Sequence, residues 1–167
     1  MNIFVLDRDT RRCARYHCDQ HVIKMILEST QMLCTALSKW GFTTPYRPTH
    51  TRHPCVLWVE ESFDNFIWLR RLAIELNREF RYRFSRDRDH RSVEVIRALE
   101  GLEYERVGLT PFAQAMPEKY RVPDNAVEAY RAFYLGEKMG FAKWTRRKRP
   151  YWIEKALRES DDGPDAH

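Results

Sequence analysis

At 167 residues, with 43% hydrophobic and 32% charged side chains, the chain has the size of one globular domain with a real core, and its apolar runs are too short to span a bilayer. Formal net charge is +5, but residues 159–167 hold four acids and no Lys or Arg, which leaves 29 cationic against 20 acidic side chains, or +9, on the body. A basic body with 13% aromatic residues points to an anionic partner, nucleic acid first, against the plainer reading that the charge only keeps the protein dissolved.

Residues 3–6 (IFVL) are a short apolar stretch, either a small strand or an anchoring arm. Asp9 or Thr10 is suited to cap a first long helix over residues 11–39, which Gly41 ends. His17, His21, Lys24, Glu28 and Gln31 follow one another on it at spacings of four, three, four and three residues, which puts them on a single face. The remainder of that helix is largely apolar, with Cys18, Val22, Met25, Ile26, Met32, Leu33, Cys34 and Leu37. A loop over residues 43–54 carries His50 and His53, and Pro54 suits the first turn of a second helix running to about residue 84. Residues 85–91 form a charged loop, and Ser92 caps a short helix to about residue 99. Residues 108–123 are turn-prone, and Asp124 caps a third long helix over residues 126–140. A basic aromatic segment, residues 141–152, follows. The expected fold is all-α: a single domain over residues 1–158, built of three long helices with short helices and long loops, and a disordered acidic tail over 159–167.

Three groups of residues could carry chemistry. Imidazole, amine and carboxylate on one helical face are the groups used for proton transfer and for gripping anions. The plain alternative is a row of surface ion pairs, with Lys24 and Glu28 as an i,i+4 pair. His17 and His21, with His50 and His53, could instead hold a metal, since i,i+4 histidines on a helix are a zinc geometry; alternatively the loop histidines cap the second helix or donate to phosphate. The third group is Lys143, Trp144, Arg146, Arg149 and Trp152, joined by Tyr130, Arg131, Tyr134 and Lys138, where cations would neutralise phosphate and rings would stack or wedge. Arg70, Arg71, Arg78, Arg81, Arg83, Arg86 and Arg88 add a further basic cluster suited to phosphate. Four cysteines with no CxxC pair and no signal-peptide pattern predict reduced, buried thiols in a cytoplasmic protein, with Cys18 as a catalytic-thiol alternative. P-loop, GxGxxG and GxSxG motifs do not occur.

Asp19-Gln20-His21 with Glu28 seven residues beyond the histidine resembles the small all-helical pyrimidine-dimer DNA glycosylases of the phage endonuclease V type, which carry DQH on their first helix and a catalytic glutamate at the same distance. Residues 66–76 (FIWLRRLAIEL) resemble their second long helix, residues 116–121 (MPEKYR) a loop before their last one, and residues 149–152 (RPYW) their aromatic C-terminal segment. The resemblance implies an N-terminal α-amine that attacks C1′ of a damaged nucleotide, expels the base and forms an imine from which the strand is cleaved by β-elimination. An α-amine suits this because its ordinary pKa, about 7.7–8.0, leaves a usable neutral fraction near neutrality.

On that resemblance the catalytic set is Glu28, His21, the amine of Met1 and, as an alternative nucleophile if it is buried, Lys24. Asn2 is poorly suited to removal of Met1, and Leu27 and Gln31 stand where the family has basic residues. The DNA-facing set is His17, Asn2, Gln20, Gln31, His50 and His53, together with Tyr130, Arg131, Lys138, Lys143, Trp144, Arg146, Arg149 and Trp152. The expected partner is double-stranded DNA with a nucleotide flipped out, bound by a monomer without a cofactor or a membrane, in the host cytoplasm for a phage-encoded member. Left open beside it are a base-modifying or base-transferring enzyme on the same scaffold, a His-rich metal-dependent hydrolase or nuclease, and a non-catalytic DNA-binding protein.

Overall fold

The chain enters its first helix, α1 (Thr10–Tyr16), through Asp9, whose carboxylate accepts from the Arg12 N–H at 2.9 Å and satisfies one of the orphan donors of the first turn. The computed structural model describes residues 1–162, and among them there are seven α-helices, one 3-10 turn and no strand. The all-α expectation holds, but the expected 11–39 helix is two. His17 and Cys18 are extended, and α2 (Asp19–Lys39) begins afresh after them. Neither Gly nor Pro marks the break. It is held open by Arg83, fully buried, whose Nη1 donates to the His17 carbonyl at 2.7 Å and whose Nη2 donates to the Arg15 carbonyl at 2.9 Å. The guanidinium thus takes over carbonyls that a continuous helix would have satisfied itself. Asp19, in the first turn of α2, answers with a carboxylate that accepts from Arg83 Nη1 at 3.2 Å and from the Thr145 N–H at 2.9 Å.

The far end of α2 follows the sequence. Gly41 adopts φ +94°, its N–H donates to the Ser38 carbonyl, and the Phe42 N–H donates to the Leu37 carbonyl, both at 3.0 Å. This paired closure needs a left-handed residue, which Gly supplies without strain.

The expected 54–84 helix is also two, α3 (Pro54–Glu61) and α4 (Phe63–Arg83). Ser62 leaves helical geometry at φ −156° and its hydroxyl accepts from the Asp64 N–H at 3.2 Å, so it opens α4 as a cap. Beyond α5 (Ser92–Ala98) and the 3-10 turn Glu118–Tyr120, α6 (Ala126–Glu137) is capped by Asn125, which accepts from the Glu128 N–H at 3.0 Å; the expected cap, Asp124, sits at φ +60° outside the helix. The last helix, α7 (Tyr151–Asp161), carries the chain further than expected, so residues 159–161 are helical rather than tail, while residues 163–167 lie outside the described residues. Only α2 and α4, 21 residues each, are long.

α2 packs on α4 and α3, and α1 packs on α4. Ile3, Phe4, Val5 and Leu6 are all buried in this core, so residues 3–6 are the anchoring arm and not a strand. Burial of each such side chain contributes roughly 1.5–3 kcal/mol, enough to fix where the start of the chain lies. That placement builds the site.

Candidate functional site

Glu28 lies a little over two turns into α2, and the α-amine of Met1 stands 3.9 Å from its Oε2 while Lys24 Nζ stands 3.8 Å from its Oε1. Both contacts are ion-pair distances, longer than hydrogen bonds. Oε2 is buried and no protein donor reaches it, which is costly for a carboxylate oxygen and uncommon outside sites that take a ligand or a proton. Side-chain exposure is 2% at Met1, 13% at Glu28 and 63% at Lys24. The burial that would fit Lys24 for nucleophilic work is therefore absent, and the alternative nucleophile of the sequence reading loses its condition.

The residue after Met1 is anchored by its side chain. Asn2 Nδ2 donates to the Ala115 carbonyl at 2.8 Å, and its Oδ1 accepts from the Tyr130 hydroxyl and from the Ile3 N–H, each at 2.8 Å. Near the chain start, His53 caps α3, its Nδ1 accepting from the Cys55 N–H at 3.0 Å. Burial first, then the charges of the chain-terminal amine and His50, push His53 below its ordinary value. Asn2, expected to face DNA, instead anchors the start of the chain, and His53, also expected to face DNA, caps α3.

The stripe loses its upper half. His17 is fully buried at the end of α1, its Nδ1 bonded to the Cys13 carbonyl at 2.7 Å and its Nε2 without a partner; burial above all pushes it down to about 4. His21 is buried too, stacked on Phe4 at 4.2 Å and joined through Nδ1 to the Tyr134 hydroxyl at 2.6 Å. Burial first, then the charges of His17, Lys138 and Lys24, push it down to about 3. Neither imidazole can grip a strand; both are corrected to core residues, with His21 locking the arm onto α2. Cys18 is corrected likewise: its thiol is buried, pushed up chiefly by that burial, and shares a 3.6 Å contact with the Tyr134 hydroxyl. All four cysteines are free and buried, as the sequence suggests.

The four imidazoles of the metal alternative do not converge. Each Nδ1 is engaged separately, that of His50 with the Thr49 hydroxyl at 2.8 Å, and no three His, Cys, Asp or Glu side chains among the described residues form a possible ligand set.

The rings expected to stack on DNA are core. Tyr130 is buried; Trp144 is buried with its Nε1 donating to the Tyr16 carbonyl at 2.9 Å; Trp152 is buried against Tyr134. Arg131 lies 5.3–5.7 Å from the ring centres of Tyr16, Tyr151 and Trp152 and donates to the Leu6 carbonyl at 2.9 Å, so it too is structural. Lys138 sits over the Phe133 ring at 4.7 Å. What remains outside is cationic: Lys143, Arg146 and Arg149 are exposed. A cleft of about 680 Å³ is lined by Arg15, Tyr16, Arg147, Lys148, Arg149, Tyr151 and Arg158. Arg149 is paired there with Glu154 at 2.8 Å, and Arg147 with Glu79 at 2.7 Å. Burial alone would raise Glu79, but its bonds from Arg147 and Arg83 outweigh that and hold it below the usual carboxylate value. Of the α4 arginines, Arg83 is internal, and Arg78 and Arg81 are paired with Glu75 and Asp89, so that cluster is less free for phosphate than its composition suggests. Gln20 and His50 are exposed and Gln31 half-buried.

A second cleft, of about 740 Å³, is lined by Trp40, Pro54, Leu57, Trp58, Pro111 and Ala113 with Lys39, Glu60 and Glu61 at its edge; it is apolar and contains none of Met1, Lys24 and Glu28.

Compared with family models, curated proteins and solved structures, the chain matches none of them. No helix among the described residues is long and apolar enough to cross a membrane.

Proposed function

We propose that this protein is a DNA-processing enzyme of the glycosylase/AP-lyase type, with the Met1 amine as nucleophile and Glu28 as its carboxylate. The observation that carries the reading is the amine 3.9 Å from a buried carboxylate oxygen that has no hydrogen-bond donor. The short DQH…Glu resemblance points to the same two groups.

The neutral amine attacks C1′ of a flipped nucleotide; the N–C1′ bond forms as the glycosidic bond breaks, and the base leaves with the bonding pair and a proton. Glu28 stabilises the cationic sugar in this step and takes a proton from the amine, a role in which a desolvated carboxylate is far more effective than one in water. Ring opening gives an imine, and loss of a C2′ proton from it expels the 3′ phosphate by β-elimination. Exposed Lys24, Lys143 and Arg146 supply charge for the phosphates on either side.

Borohydride treatment of the protein with an abasic duplex tests the chemistry. A covalent protein–DNA adduct that Glu28→Gln abolishes is the expected result; an untrapped wild-type protein that binds the duplex overturns it.

A further inference from the structure

The outer face of α2 carries two side chains that nothing covers. Ile23 is 44% exposed and Leu27 40% exposed, although Val22, Met25 and Ile26 beside them are buried. They stand four residues apart and so lie against each other along the helix. A lone exposed aliphatic residue is ordinary; an adjacent pair on the helix that carries the reactive carboxylate is a small apolar ridge. Leu27 directly precedes Glu28, so one helical step separates the ridge from the amine–carboxylate pair.

The surroundings of the ridge are polar and cationic. Lys24 shares the face, exposed. Lys143, exposed, is tied to the start of α2 by its carbonyl, which accepts from the Asp19 N–H at 2.7 Å. At the other end, the loop carrying exposed Arg47 and Arg52 is pinned to α2 where the Thr49 N–H donates to Thr35 Oγ1 at 3.1 Å. An apolar ridge between two cationic ends matches stacked bases between two rows of phosphate. It fits an apolar protein surface poorly, because docking one there would strip water from the lysine and arginine side chains without pairing them.

We infer that Leu27, backed by Ile23, is the wedge that enters the base stack and occupies the gap left when a nucleotide turns out towards Glu28. This inference rests on the reading of the Met1–Glu28 pair as the reacting centre. Unstacking a base step is costly, and an aliphatic side chain that fills the vacated space offsets part of that cost. Lys24 and Gln31, on the same face, are left to hold the backbone.

The test uses the full chain and a duplex bearing a tetrahydrofuran abasic analogue, which the enzyme cannot open to an imine, with 2-aminopurine opposite the analogue. Binding by the wild-type protein should raise 2-aminopurine fluorescence. Leu27→Ala should remove most of that rise and weaken binding to this duplex about tenfold, with less than about a twofold change on an intact duplex. Leu27→Met should retain the signal, and Ile23→Ala should lose less than Leu27→Ala. Because Leu27 is solvent-exposed and Ala is a better helix former, the variant keeps its fold, which melting confirms. Wild-type fluorescence and affinity in Leu27→Ala overturn the wedge. So does a change in self-association of the chain, seen by sedimentation, with DNA binding untouched. Glu28→Gln should keep the fluorescence rise. A wild-type protein that gives the rise but no borohydride adduct therefore removes the proposed chemistry and leaves the wedge, while an adduct that survives with a silent Leu27→Ala removes the wedge alone.

Discussion

Glu28 takes its character from its neighbours: an amine on one oxygen, an exposed lysine on the other, and no donor close enough to make a hydrogen bond to Oε2. Replacing it with Gln keeps the shape and removes an incompletely compensated buried charge. Glu28→Gln is therefore expected to lower single-turnover cleavage of an abasic duplex by about 100-fold or more, while its melting temperature stays level or rises; a large loss of stability would instead make Glu28 a structural ion-pair partner. Tyr130→Phe probes the anchoring of Asn2. It removes the donor to Asn2 Oδ1 and should cost about 1 kcal/mol in urea unfolding, with a drop in turnover because the chain start loosens. Glu28 was marked in the sequence by the helical stripe and the DQH…Glu spacing, and the Met1 amine only by what the family resemblance implies. Their meeting was not, because it depends on where residues 3–6 are buried. Leu27 was visible only as a place where basic residues were missing.

At the scale of elements, the end of α2 was written in local sequence: Gly41 needs no tertiary contact to adopt its left-handed closure. The break at His17–Cys18 was not, since periodicity runs straight through it and the group that holds it open, Arg83, comes from α4, 66 residues away from the His17 carbonyl it binds. The break carries His17 away from the stripe. The break at Ser62 divides what the sequence analysis takes as one helix over residues 54–84; it is local, made by the Ser62 hydroxyl accepting from the Asp64 N–H. Arg83→Met should destabilise the protein by about 3–5 kcal/mol, measured by urea unfolding, because it leaves the buried carbonyls of Arg15 and His17 without a donor and takes from Glu79 one of its two arginine hydrogen-bond partners. Gly136 offers a second check. In an isolated helix Gly→Ala stabilises by about 1 kcal/mol, but a Cβ at Gly136 would meet the Tyr120 phenol packed across α6, so Gly136→Ala is expected to lower the melting temperature.

For the whole molecule, the buried histidines set how the fold responds to acid. His17 and His21 titrate near 4 and 3 in the folded chain against an ordinary 6.5. Below about pH 6.5 the unfolded chain takes up protons that the folded one refuses, so stability falls as pH drops from about 6.5 towards 4, by on the order of 3 kcal/mol for His17. Glu79 works in a lower window. Its folded value lies below the ordinary 4.5, so its contribution is present above 4.5 and is lost only under more acid conditions. Melts at half-unit steps of pH should show the first decline in wild type and a flatter one in His17→Gln; a stability that holds down to pH 4.5 would mean the imidazoles are not neutral in the fold. The all-α class was legible from helical spacing alone. The surface was not: a basic aromatic segment looks alike in sequence whether its rings face water or the core, and here Trp144 and Trp152 are buried while the cations around them are not.

In the proposed chemistry the reacting nitrogen is the amine of Met1, not the side chain of Lys24. Mass spectrometry of the peptides from a borohydride-trapped complex with abasic DNA tests it most directly, since the reduced linkage marks the atom that attacked. The mass increment is expected on the peptide that begins at Met1, with Met1 retained, and no adduct is expected once that amine is blocked by selective acetylation. An increment on the Lys24 peptide, or an adduct that survives the blocked amine, would contradict it.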